Sequence, residues 1–180
     1  MRIWTKVVDE ALHPAVAPLT FAVSHRYRVL ALPPERLQLF LDATPDPVRR
    51  EKKRLWVELG LDAPDVRVSI HEFKNALAQM ERALGMSPWL AGAEYSLADI
   101  ALTPYIVRIE MLGIWELWRD GHPRAAAWLE RVKSRASFVP ALFQYMPEEL
   151  RATMLADGRK SAPRLAAILA ETASGHAAGR

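Results

Sequence analysis

An all-helical bundle forming one domain is the fold class that this sequence predicts, and three observations predict it. Apolar residues recur at alternating steps of three and four along most of the chain, the spacing of one buried helix face. Strand patterns are missing: Val7-Val8 and Val29-Leu30-Ala31-Leu32 are the only β-like scraps, too short to build a sheet. No internal repeat or linker interrupts the 180 residues, and 51% hydrophobic composition suffices for a single core.

The first helix is expected to run from the start to about Tyr27, with Ile3, Val7, Leu12, Val16, Leu19 and Val23 on its apolar face. Pro14 and Pro18 fall inside it, and each removes a backbone donor, so a kink or break is expected there. Pro33-Pro34 opens a short helix carrying Leu37, Phe40 and Leu41, which Thr44-Pro45-Asp46-Pro47 breaks. A charged helix with Leu55, Trp56 and Leu59 follows and stops at Gly60. The cleanest stripe comes next: after Pro64, Val66, Ile70, Phe73, Leu77, Met80 and Leu84 line one face until Gly85. Ser87 to Gly92 reads as a turn, and a central helix spans Ser96 to about Leu112 and stops at Gly113. Trp115 to Trp118 forms a short segment, and His122-Pro123 opens a helix through Trp128, Leu129 and Val132. Two short helices near Pro147–Leu155 and Pro163–Thr172 complete the domain, 1–173, and a disordered tail is expected over 174–180.

Composition narrows the chemistry. Without cysteine there are no disulfides, thiolate metal sites or cysteine nucleophiles. The five histidines show no metal-ligand spacing, so no metal site is expected. No apolar run approaches membrane-spanning length and no signal-peptide core opens the chain, which reads as a soluble cytoplasmic protein with no membrane partner. The net charge of +3 is spread out, and its densest run, Arg49-Arg50-Glu51-Lys52-Lys53-Arg54, reads as a solvated face. Interleaved aromatic residues are absent from that run, and no nucleic-acid partner is expected. Asp9 and Glu10 point about 100° apart on a helix and suit ion pairs with Lys6 or His13 better than a catalytic dyad. There is no glycine-rich phosphate loop.

The most informative stretch is Trp89-Leu90-Ala91-Gly92-Ala93-Glu94-Tyr95-Ser96-Leu97-Ala98-Asp99-Ile100-Ala101. Ser96 is an N-cap, and Asp99, three residues on, can reach back to its backbone donor: a capping box with Asp in place of Glu or Gln. Tyr95 before the cap and Ile100 after it can pack as a hydrophobic staple. The longer string, with Pro104-Tyr105 after it, resembles the core of the glutathione S-transferase C-terminal domain. Trp128-Leu129-Glu130-Arg131 and Arg135-Ala136-Ser137-Phe138 fall where that family has its tryptophan-bearing helix and following turn. Trp4-Thr5-Lys6-Val7-Val8-Asp9-Glu10 resembles the family's first C-terminal-domain helix in bacterial members, so the resemblance runs from about Arg2 to Leu142.

The resemblance implies an all-α helical bundle of that type. It also implies that Met1 falls inside the first helix, truncating it, and that the family's thioredoxin-like N-terminal domain is absent. That domain carries the group that activates the glutathione thiol. The chain therefore receives no catalytic residue and no cofactor of its own, and is expected to be inactive alone. Glutathione is the co-substrate of the complete family enzyme, whose bacterial members include ether-cleaving and dehalogenating ones. In those enzymes this domain supplies the wall for a hydrophobic electrophile, which places Trp4, Val8 and Tyr105 at the substrate, although core or interdomain packing suits the same residues equally well. The family usually dimerises through the first helix of this domain together with the thioredoxin-like domain, so this chain is expected to supply part of a homodimer interface. The alternative is a non-catalytic protein-interaction module with a specific protein partner.

Overall fold

The computed structural model describes residues 2–177, and among them there is no strand beyond one isolated bridge pairing Trp89 with Gly92. The first helix, α1, covers residues 2–30 without interruption. It contains two widened π turns, Val8–Leu12 and Phe21–His25. They flank the regular α-helical stretch His13–Thr20, which holds both Pro14 and Pro18, so the helix continues where a proline break was expected. Each π turn also re-registers the apolar face. Leu12, Leu19 and Val23 are buried as the spacing indicates, but at the N-terminal end Trp4 and Val8 are buried while Ile3 is 71% exposed.

Helices α2 (Pro34–Asp42) and α3 (Pro47–Leu59) form an outlying hairpin. Asp46 caps α3 by accepting from the Arg49 N–H at 2.7 Å. The hairpin joins α1 through aromatic rings, Phe21 against Phe40 and Trp56. None of the residues of α2 is fully buried, and Leu39 faces water. Gly60 turns the chain at φ +57°, and the Arg26 guanidinium donates to the Val57 and Glu58 carbonyls at the end of α3. A cation there also suits the negative end of the helix dipole.

Helix α4 (Pro64–Leu84) is the bundle's spine. All six residues of its predicted stripe are buried, and Phe73, Leu77, Met80 and Val66 are fully so. Burying each such large side chain contributes roughly 1.5–3 kcal/mol. Helix α5 (Leu97–Met111) runs through the middle, packed against α1, α7 and the last helix. After α6 (Glu116–Arg119), α7 (Pro123–Lys133) and α8 (Phe138–Phe143) comes α9 (Glu148–Ala177). His122 makes the entrance to α7, its Nδ1 2.7 Å from the Trp118 carbonyl.

One long α9 stands where two short helices were expected. Met154, Asp157, Ser161, Leu165 and Ile168 fall on one face of it and are buried, so packing carries the helix past Pro163. At the crossing with the end of α5, Gly158 lies so close to the Leu112 carbonyl that a Cβ would sit 1.4 Å from that oxygen. The helix is described as far as Ala177, within the 174–180 segment. Residues 178–180 of that segment, and Met1, lie outside the described residues. No described helix is long and apolar enough to cross a membrane.

Candidate functional site

The start of α5 is organised by one carboxylate. Asp99 is fully buried, and its Oδ2 accepts from the Ser96 N–H and the Ser96 hydroxyl, each at 3.0 Å. Its Oδ1 accepts from the Leu90 N–H at 3.0 Å and from the Trp128 indole N–H at 2.8 Å. The Ser96 Oγ in turn accepts from the Ala98 N–H at 3.2 Å, completing the capping box. Leu90 and Trp128 lie 9 and 29 residues from Asp99, and local sequence patterns did not identify them as its partners. The signal available for Trp128 is the general need of a buried indole N–H for an acceptor, which does not say which acceptor it meets.

Around this knot the residues singled out from sequence separate. Trp4 is buried in the core, its indole N–H donating to the Leu90 carbonyl at 2.8 Å, and Val8 lies one turn further along the same buried face. Both lie beneath the surface rather than on it. Tyr105 is only partly buried, and its hydroxyl sits 3.1 Å from Nδ1 of His13 on α1. Burial first, then the nearby Asp9 carboxylate, raises the Tyr105 phenol above its ordinary value and keeps it protonated. Tyr95 and Ile100, the expected staple, line a cleft of about 230 Å³ with Pro104, Val132, Phe138 and Leu142. Arg135 stacks over the Tyr95 ring at 3.7 Å on its rim. The α5 face beside this cleft is apolar and open, with Leu97 58% and Ile100 50% exposed.

A second set of groups, which sequence reasoning missed, gathers where α1, α5 and α9 meet. Arg28 Nη2 lies 3.2 Å from His25 Nδ1, and Arg108 Nη1 donates to the Met154 sulfur at 3.5 Å. Burial, reinforced by the Arg28 and Arg108 charges and opposed by Asp157, holds His25 below its ordinary value. Burial also lowers Arg108. Asp157 is buried, accepting from Lys160 at 2.9 Å and from the Ser24 hydroxyl at 3.3 Å.

The basic run on α3 is largely spent on the chain. Arg50 donates to the Thr44 and Pro45 carbonyls, Lys53 to the Phe40 carbonyl and Thr44 hydroxyl, and Arg54 pairs with Glu51 and Glu58. Glu10 pairs with Lys6 at 3.7 Å. Among the described residues no group of three or more acidic, histidine or cysteine side chains is arranged to hold a metal ion.

The sequence profile described as "Glutathione S-transferase, C-terminal domain" matches residues 66–131. The chain is 32% identical over 98 residues to the 2,5-dichlorohydroquinone reductive dechlorinase of Sphingobium indicum, covering 52% of this chain and 28% of that protein. It is 35% identical over 80 residues to the tetrachloro-p-hydroquinone reductive dehalogenase of Sphingobium chlorophenolicum, covering 44% of this chain and 32% of that protein. The matched region thus spans about a third or less of the length of these relatives. The crystal structure of the beta-etherase LigF from Sphingobium sp. strain SYK-6 superposes with a TM-score of 0.62 at 23% identity, over 78% of this chain and 59% of that one, and shares its fold.

Proposed function

Given that this chain carries a glutathione S-transferase C-terminal-type domain, we propose that it forms the electrophile-binding half of a glutathione-dependent protein and acts together with a thioredoxin-like domain. The observation that carries the reading is the open apolar face of α5, where Leu97 and Ile100 are exposed beside the cleft, on the same helix as the partly exposed Tyr105. A central bundle helix normally hides such side chains, and an uncovered row of them suits a docked second domain. In this reading Tyr105 contacts a hydrophobic electrophile from the side opposite the thiolate, while Trp4 and Val8 support that wall from beneath. Binding the electrophile on one domain and the thiol on the other brings the two together in reactive geometry. The relatives named as hydroquinone dehalogenases suggest halogenated aromatic electrophiles. A homodimer built on α1, whose Ile3 is exposed, and a cytoplasmic setting belong to the same reading.

The test is to follow glutathione consumption with a chlorodinitrobenzene. The chain alone leaves glutathione unconsumed above the uncatalysed rate, and the chain joined behind a thioredoxin-like glutathione-binding domain consumes it. Turnover by the chain alone, or none by a joined protein whose two domains are folded, rejects the reading. The second reading, a protein-interaction module without chemistry, draws on the same exposed Leu97 and Ile100, and the inactive joined protein is the outcome that favours it.

A further inference from the structure

We infer that Arg28, His25 and Arg108 bind the anionic oxygen of a small aromatic substrate, a phenolate or a carboxylate, at the junction of α1, α5 and α9. The inference rests on the proposed electrophile-binding role and names the substrate class it would take. Arg108 lies three residues beyond Tyr105, on the same face of α5. His25 and Arg28 lie along α1 beyond His13, the partner of Tyr105. The His25–Arg28 pair on α1 and Arg108 on α5 thus add polar groups beyond the Tyr105–His13 contact, whereas the apolar Trp4 and Val8 are buried nearer the start of α1.

The charge balance of the junction calls for an anion. From α1 comes Arg28 and from α5 Arg108, while Lys160 of α9 is paired with Asp157, the carboxylate that faces His25 among the described residues. Asp157 is already shared between Lys160 and the Ser24 hydroxyl. Arg108 is half-buried, and among the described residues its only hydrogen-bond acceptor is the Met154 sulfur, a weak one. Burying a guanidinium without a carboxylate costs free energy, which a bound anion would recover. Arg28, exposed at the edge of the junction, has no carboxylate partner among the described residues and lies against His25. Burial, then the Arg28 and Arg108 charges, disfavour the cationic form of His25, whose ring nitrogens add hydrogen-bonding groups beside the two guanidinium groups.

The test uses the whole chain with benzoate, 4-nitrophenolate and the neutral benzamide, binding being followed by nuclear magnetic resonance on the His25 imidazole and the arginine Nε–H groups. Expected is saturable binding of benzoate, 4-nitrophenolate or both, whichever binds identifying the anion, with benzamide about tenfold weaker or more. Arg108→Met, which keeps the packing on Met154, and the exposed Arg28→Met each weaken the anion by about tenfold, while Arg135→Met at the separate cleft changes nothing. Benzamide binding as tightly as the anions, no anion binding by the folded chain, or unchanged binding in a folded Arg28→Met variant overturns the inference. Thiol-transfer activity of the joined two-domain protein is a separate readout, so either proposal can fail while the other stands.

Discussion

Asp99 and Asp62 do the same job in two different media. Each carboxylate collects several donors and joins elements far apart in sequence. Asp99 ties the Leu90 loop, the start of α5 and Trp128 of α7 with donors that carry no charge, and no solvent reaches it. Asp62, beside the Gly60 turn, takes its bonds from the charged Arg67 of α4 and Arg164 of α9, with Glu171 closing the ring, and its side chain is 42% exposed. Arg164 first and Arg67 second pull the Asp62 carboxyl down to about 2. By charge alone the Asp62 cluster is the stronger. By environment the order reverses: water screens the exposed pairs, whereas losing Asp99 strands an indole N–H and an amide N–H in the core.

The largest effect therefore belongs to Asp99→Ala, which should destabilise the fold by about 4 kcal/mol in urea unfolding, because several buried donors lose their acceptor together. A loss under about 1 kcal/mol would place Asp99 in the same class as Asp62 and end the distinction. Gly158→Ala comes next. Its Cβ would run into the Leu112 carbonyl, so α9 must shift, at a cost of about 2–3 kcal/mol in the same measurement. That variant asks whether α9 is held by its close packing on α5 or by the ion cluster. Asp62→Ala should cost only about 0.5 kcal/mol and less still in high salt. Its pH dependence has a definite sign. A depressed carboxyl stabilises the fold above its unfolded value, about 3.9, and that contribution fades as pH falls through about 2. Wild type and Asp62→Ala should accordingly differ above that window and converge below it, as thermal unfolding across acid pH would measure.

The same contrast explains what could be read early. The Val66–Leu84 stripe and the Ser96–Asp99 box are local patterns, governed by helix geometry over a few residues. The stripe of α1 was placed one residue off at its N-terminal end, because π turns are not written in spacing. The single α9 was missed for the opposite reason: Pro163 is a genuine local breaker that burial of Met154, Leu165 and Ile168 outweighs. Of the expected wall, Tyr105 was found at the surface and Trp4 and Val8 beneath it, a distinction that only the neighbours of each side chain can draw.

What the amino-acid order determined by itself was the helical class, most of the helix boundaries, the capping box and the likeness to glutathione S-transferase C-terminal domains, all carried by short-range periodicity or a contiguous motif. What only the tertiary structure decided was which buried groups share Asp99, how α9 crosses α5 at Gly158, and the gathering of Arg28, His25 and Arg108. Those arrangements join residues tens of positions apart, and no local rule of backbone or side chain encodes which distant partner a packed helix will meet.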